Sequence, residues 1–321
     1  MKAAIIEAPD AAPEYGEFPE PQVGEGHELV QLVAAGIHPF VRSVATGRHY
    51  GSTDTWPLIP GVDAVARTAG GDLIFTGYVR PPYGTLAERM AIPEAMRFAL
   101  PSGADPVAVA GGMNPGLSSW MPLLARANEI GALGTVLVLG ATGMAGSLAA
   151  QNARVLGAEH VIGAGRDRER LARLVNAGAK AVALSGDRDA DAAALANALG
   201  DAAPSIVLDF LWGSAADAAF VALGRRGMDE DRADIAYVEI GQIAGANASL
   251  PASLLRSRRI RISGSGAGSG KIADIMAQLP VYMQLIADHR VEVPTRIFPL
   301  SRIAEAWDAS TGSGSRVVVV P

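Results

Sequence analysis

Cysteine is absent from the 321 residues. That excludes disulfides, thiolate zinc sites and a cysteine nucleophile, and it fits a reducing compartment, so the cytoplasm is the expected location. Basic residues are the minority charge, 27 Lys and Arg against 33 Asp and Glu, for a net charge of -6. Nucleic acid is therefore not expected as a partner, because neutralising its phosphates takes a basic face. Uninterrupted spanning segments are also lacking. Two uncharged runs, 107–125 and 130–153, have the length, but Pro115 and Pro122 break the first, and five glycines with Thr142, Gln151 and Asn152 interrupt the second. Both read as buried structure rather than membrane. The opening MKAAIIEAPD has no long apolar core, since Glu7, Pro9 and Asp10 cut it short, so no export signal is expected.

What is present is a composition of 49% hydrophobic and 19% charged residues, that of a compact chain long enough for two domains. From about Gly131 short β-branched runs alternate with Ala- and Leu-rich stretches. TVLVLG (135–140), HVIGAG (160–165), KAVALS (180–185), SIVLDF (205–210), IAYVEIG (235–241) and RIRIS (259–263) read as six strands, with almost no polar alternation, as parallel strands buried on both faces require. Helices are expected between them over DRERLARLVNAG, ADAAALANALG and about 215–223, each closed by a glycine cap. This is a doubly wound α/β domain.

The first 110 residues differ: short alternating strands (KAAIIE, ELVQLVAA, VDAVARTA) are punctuated by Pro and Gly, which predicts an antiparallel, barrel-like β fold. After about Lys271 come a helix containing Pro280, a short strand, the helix SRIAEAWDAS and a last strand RVVVVP. That tail is too small to stand alone and is expected to rejoin the N-terminal domain. No internal repeat is visible.

The segment VLVLGATGMAGSLAAQ (136–151) sets a glycine-rich turn between the first strand of the α/β domain and a helix. In a dinucleotide fingerprint the first glycine makes the turn, the second admits the pyrophosphate and the third lets helix and strand pack closely. Here Ala141, Gly143 and Gly146 take those places, with Gly140 just before. Thr142, Met144 and Ala145 complete the turn. At the end of the second strand, where an acidic residue would bind the ribose 2′-hydroxyl of NAD, the chain reads GAGRDRERL, so Gly165 is followed by Arg166, Arg168 and Arg170. Cations at a helix start oppose its dipole. Either they bind a 2′-phosphate, which makes NADPH the expected cofactor, or Asp167 and Glu169 pair with them on a solvated face. The GSGAGSGKI segment (264–272) is a failed P-loop: Ser265 stands at the first glycine position and Ile272 at the metal-binding hydroxyl.

Segments AAGIHPFVRSVATG (34–47), PLIPGVDAVARTAG (57–70), GTLAERMAIP (84–93), NPGLSSWMPLL (114–124), the glycine turn and the tail FPLSRIAEAWDA through SRVVVVP together resemble the medium-chain dehydrogenase/reductases, in the zinc-free quinone oxidoreductase branch. The resemblance implies a GroES-like β-barrel catalytic domain (1–114 and 265–321) carrying an inserted Rossmann domain (115–264). It also implies a homodimer paired through edge strand 259–263. The 264–272 loop would then be the crossover between domains, with Gly264 and Gly266 admitting the cofactor closely and Gly241 and Arg316 also near it. Asp63 and Asn114 would line the substrate pocket with His38 and Tyr50. Zinc-dependent relatives carry cysteine, histidine and glutamate where His38, Val62 and Asp63 stand here, so no metal is expected. His38 is either a hydrogen-bond donor to a substrate carbonyl or a satisfied pocket histidine. Tyr50 is either a donor to developing charge on oxygen or a loop aromatic. Leu184 and Ser185 stand where relatives place a tyrosine against the adenosine phosphate.

Without a metal, the accessible chemistry is hydride transfer from NADPH to an electron-poor acceptor, a quinone or an α,β-unsaturated carbonyl, with the protein supplying orientation and hydrogen bonds. The alternatives are an alcohol dehydrogenase acting on an alcohol/aldehyde pair and a non-catalytic NADPH-binding protein.

Overall fold

The computed structural model describes residues 1–321 apart from Arg48, Tyr78, Ala267 and Ser313. Two strands, β1 (Lys2–Ile5) and β2 (Glu14–Glu17), pair antiparallel at the start. They lead into β3 (His27–Ile37), α1 (Pro39–Ala45), β4 (Asp63–Arg67), β5 (Leu73–Gly77), β6 (Arg89–Pro93) and β7 (Phe98–Ala99). A 25-residue helix, α2 (Pro106–Ile130), follows. Strands and helices then alternate: β8 (Thr135–Leu139), α3 (Met144–Val155), β9 (His160–Gly165), α4 (Arg168–Asn176), β10 (Lys180–Ala183), α5 (Arg188–Leu199), β11 (Ile206–Asp209), α6 (Gly213–Ala222), β12 (Ile235–Glu239), α7 (Ala252–Ser257) and β13 (Ile260–Gly264). The last elements are α8 (Ile272–Ala287), β14 (Thr295–Pro299), α9 (Ile303–Ala309) and β15 (Arg316–Val320).

Residues Gly116–Ile275 form one compact unit, and Met1–Pro115 with Met276–Pro321 form the other. In the first of these the six strands are all parallel, in the order β10-β9-β8-β11-β12-β13, so the direction of winding reverses between β8 and β11. Helices cover both faces of such a sheet, which is why Val136 to Leu139 and Ile206 to Leu208 are fully buried and apolar without alternation. The expected doubly wound domain is what forms. Gly178 (φ +86°) and Gly200 (φ +62°) end α4 and α5 as expected. The expectation fails at α6, which closes on Leu223 in the right-handed region. There the amides of Leu223 and Gly224 take the carbonyls of Ala219 and Val221, so no left-handed residue is needed. Strand β13 lies at the sheet edge with its side chains half-buried or exposed.

The other unit is built on β3, whose Val30 and Leu32 are buried while Leu29 and Gln31 face out. β3 pairs antiparallel with β4, β6 and β15. The tail does rejoin this sheet: β15 is inserted between β3 and β14, parallel to the latter. The core combines Ile6, Ile37, Leu86, Met90 and Ile92 with Ile303 and Trp307 of α9. Among the described residues no helix is long and apolar enough to cross a membrane.

Within the Gly116–Ile275 unit one buried cation ties α2 to the sheet. Arg126 is 3% exposed; its Nε donates to the Ser205 carbonyl at 3.1 Å and its guanidinium pairs with Glu129 at 2.7 Å and Asp234 at 3.0 Å. A leucine there leaves the Ser205 and Asp234 carbonyls and both carboxylates without this donor. Arg126→Leu is expected to lower stability by about 3 kcal/mol, and a denaturation midpoint unchanged from wild type would contradict this role.

Candidate functional site

The turn after β8 is shaped by glycine. Gly140 adopts φ +87°, and the amides of Gly140 and Ala141 both donate to the Ala164 carbonyl at 2.9 Å, tying the turn to β9. A Cβ on Gly146 would lie 2.2 Å from the Gly140 carbonyl oxygen, so helix α3 reaches its close packing only without a side chain there. Gly165 is similarly confined, with Thr142 Oγ1 2.5 Å from the position of a Cβ. Gly143 is the N-cap of α3 and offers no side-chain acceptor. The amides of Met144, Ala145 and Gly146 consequently meet no protein acceptor among the described residues. Three free donors at the positive end of a helix dipole, beside glycine backbone, are an anion cradle of the kind that holds a pyrophosphate. The residues present fit a dinucleotide.

At the end of β9, Arg166 and Arg168 are exposed. The two acids beside them in sequence are engaged elsewhere. Asp167 caps α4 by accepting from the Arg170 amide and pairs with the Arg170 side chain at 3.3 Å, while Glu169 pairs with Arg173 at 2.6 Å. Arg170 also donates to the Thr142 carbonyl at 3.1 Å, bridging α4 to the glycine turn.

The loops after β11 and β12 interlock beside this turn. The amides of Ile240 and Gly241 donate to the Asp209 carbonyl, and that of Ala244 to the Leu211 carbonyl. A Cβ on Gly241 would come within 3.0 Å of the Phe210 carbonyl oxygen. Gly264 is exposed, with nothing closer than 3.9 Å to where a Cβ would lie, so the protein itself does not demand glycine there. Gly266 is exposed too, its amide donating to Ser269 Oγ at 2.7 Å. Ser269 thus bonds both the amide and the carbonyl of Gly266 shortly ahead of α8.

Buried acidity beside the turn was not singled out from the sequence. Asp209 is fully buried at the end of β11; it accepts from Tyr237 Oη at 2.6 Å and from the amides of Leu211 and Trp212 at 2.8 and 2.9 Å. Burial pushes its carboxyl up, against these three hydrogen bonds. Burial, followed by the Asp209 charge, raises Glu239 at the end of β12 as well. Trp212 takes φ +54°, ψ -156°, a region that costs a non-glycine residue about 1–3 kcal/mol. The available signal was a carboxylate directly after the apolar run IVL (206–208), where a structural acid must find buried partners.

In the other unit the structure brings together His38, Asp63 and Arg316. His38 is the N-cap of α1, held extended ahead of Pro39, and is 2% exposed. Its Nε2 lies 3.1 Å from Asp63 Oδ1, while its buried Nδ1 has no partner among the described residues. Facing a carboxylate, Nε2 carries the hydrogen. Arg316, on β15, is 6% exposed; it donates to the Ile37 carbonyl at 3.0 Å, and its Nε too is buried and without a partner among the described residues. Burial brings this guanidinium down to about 10, and the Asp63 charge acts in the opposite direction. Tyr50 is 77% exposed, its ring 3.9 Å from that of His49, which in turn packs on Phe40. Asn114 is half-buried on α2. Among the described residues no three His, Cys, Asp or Glu side chains gather to hold a metal ion.

A parallel sheet reversing beside an uncapped glycine turn, with a second unit of antiparallel strands, defines the two-domain architecture of a GroES-like barrel and a Rossmann sheet. No family model matches the chain. It is 31% identical over 363 aligned positions to a protein of Emericella nidulans named "Probable NADPH-dependent quinone reductase", with 100% of both chains covered. Among solved structures it resembles the Escherichia coli quinone oxidoreductase complexed with NADPH (TM-score 0.82, 19% identity, 100% of both chains). It likewise resembles the quinone oxidoreductase of Thermus thermophilus (TM-score 0.80, 24% identity, 100% of both chains). The chain belongs to the quinone oxidoreductase branch of the medium-chain dehydrogenase/reductases.

The glycine geometry orders two substitutions. Gly146→Ala is expected to cost about 2 kcal/mol of stability, more than Gly143→Ala, whose Cβ would sit a tolerable 3.3 Å from the Gly140 carbonyl oxygen. Equal shifts of the two denaturation midpoints would contradict the packing described.

Proposed function

We propose that this protein is an NADPH-dependent reductase of quinones or α,β-unsaturated carbonyls. The observation that carries the reading is the pair of unneutralised arginines, Arg166 and Arg168, at the end of the strand that flanks the uncapped α3 turn. A dinucleotide whose pyrophosphate takes the amides of Met144, Ala145 and Gly146 extends its adenosine towards the second strand of such a sheet. There the two guanidiniums suit a 2′-phosphate and leave an unphosphorylated ribose without an acidic partner. NADPH, when bound, supplies a hydride.

The residues of the chain then orient and stabilise. In this reading Gly116–Ile275 binds the dinucleotide and the unit built on β3 binds the acceptor. In its imidazolium form His38 donates Nδ1–H, from a buried ring atom with no partner among the described residues, to the acceptor oxygen, while Asp63 accepts from Nε2–H and holds the ring. Arg316 is a buried positive charge close to that pair, suited to offsetting negative charge as it develops on oxygen. This moves Arg316 from the cofactor to the acceptor side of the reaction. Tyr50, exposed on its loop, offers a hydroxyl donor. A quinone or enone suits such a site because the added hydride leaves a delocalised phenolate or enolate that a few hydrogen bonds stabilise. We also propose a homodimer through the exposed edge of β13 and, with no metal in the reaction, activity that survives chelation.

The test is NADPH oxidation with a chelator present, against quinones, enones and simple aldehydes. Turnover is expected with the first two classes; activity confined to aldehydes and abolished by the chelator would overturn the reading. Arg166→Ala is expected to raise the Kd for NADPH about tenfold and to leave NADH affinity unchanged. Equal losses for both cofactors would remove the 2′-phosphate assignment.

A further inference from the structure

Asp209 is buried and absent from the chemistry just described, yet it holds a turn with two consecutive residues at positive φ. Its Oδ1 takes the amides of Leu211 and Trp212, and its Oδ2 takes the Tyr237 hydroxyl. Trp212 sits at φ +54° and Gly213 at φ +54°. The Trp212 ring is held from below by Phe220 at 5.9 Å and Tyr237 at 6.4 Å. At the other end of the turn, Leu211 and Phe210 close on the glycine turn itself: a Cβ on Gly140 would lie 3.1 Å from Leu211 Cδ2 and 3.3 Å from Phe210 Cβ. The strained segment therefore forms a wall of the dinucleotide cradle, and Asp209 is what gives its amides acceptors.

We infer that Asp209, with Tyr237, is a positioning clamp for the nicotinamide half of the cofactor. The assignment to that half follows from topology and rests on the NADPH reading. The β8-β9-β10 side of a sheet that reverses between its first and fourth strands takes the adenosine mononucleotide, and the β11-β12-β13 side takes the other. Asp209, Leu211, Trp212 and Tyr237 all lie on the β11-β12 side, while Arg166 and Arg168 lie on the β9 side. Strain held by buried hydrogen bonds beside a binding site is characteristic of ligand clamps. Burial raises the Asp209 carboxyl above its ordinary range, and the hydrogen bonds from Tyr237, Trp212 and Leu211 act against that rise.

The two halves are separable by ligand. NADPH spans both; adenosine 2′,5′-bisphosphate carries only the 2′-phosphorylated adenosine end. Titrating wild type, Asp209→Ala and Asp209→Asn with each gives the test. Asp209→Ala is expected to weaken NADPH binding about tenfold to hundredfold, the effect of removing hydrogen bonds to a charged acceptor, while the bisphosphate binds as in wild type. Asp209→Asn keeps an oxygen for the two amides and is expected to recover most of the NADPH affinity. If Asp209→Ala does not fold, Trp212→Gly in the same background supplies the check. Glycine takes φ +54° without strain, so the double variant should fold and bind the bisphosphate normally while NADPH stays at least threefold weaker than wild type. Equal losses for both ligands, or wild-type NADPH affinity in Asp209→Ala or the double variant, would overturn the clamp while leaving the NADPH reading intact. A wild-type protein that binds neither ligand would overturn both.

Discussion

The approach of α3 to the turn after β8 governs the Gly116–Ile275 unit. With Gly146 resting against the Gly140 carbonyl, the helix begins on a glycine N-cap that supplies no capping side chain, and its first amides meet no protein acceptor among the described residues. Everything around it answers that geometry. Ala164 on β9 takes the turn's own amides, Arg170 anchors its Thr142 carbonyl, and Leu211 closes over Gly140 from the β11 side. A binding site made this way is a deficit of hydrogen bonds at a helix end, kept open because the surrounding packing leaves nothing else able to fill it.

Electrostatics are divided between the two units in opposite senses. Around the glycine turn the free charges are exposed arginines, whose own neighbours Asp167 and Glu169 are committed to Arg170 and Arg173. In the unit built on β3 one charged group is sequestered: His38, Asp63 and Arg316 are all nine-tenths or more buried, and the histidine and arginine each retain a nitrogen without a partner among the described residues. Exposed cations suit a multiply charged phosphate that arrives hydrated. A dry, nearly neutral group suits an acceptor that acquires charge only during reaction.

The six parallel strands were legible because burial on both faces erases alternation, so TVLVL and SIVL announce themselves as apolar runs. The glycine turn was legible because its spacing is enforced by backbone contact, which no other residue type meets. Side-chain partnerships were harder. That Asp167 and Glu169 turn away from Arg166 and Arg168 follows from the 3.6-residue period of α4, which places Asp167 with Arg170 and Glu169 with Arg173; the helical spacing held this information. The grouping of Arg316 with His38 and Asp63 had no such local signal, because β15 meets β3 across some 280 residues of chain. The Asp209 clamp was hidden for a related reason: its partner Tyr237 lies one strand away, and the left-handed backbone at Trp212 defies the usual preference for glycine. The α6 cap failed for want of conformational information, since Gly224 is near a helix end without being needed to finish it.

The insertion of β15 between β14 and β3 has a consequence for how the chain comes off the ribosome. Residues 27–37 supply the long strand of the antiparallel sheet early in synthesis, but its neighbour on one side is made of residues 316–320. Until those emerge, the Ala35–Ile37 end of β3 lacks this partner, and Ile37 lacks the strand that pairs with it. The 116–275 segment is contiguous and can condense as soon as it is clear of the tunnel. The unit that begins the chain is thus the last to be completed, and the finished dinucleotide domain is carried for the interval between two halves of a sheet that have yet to meet.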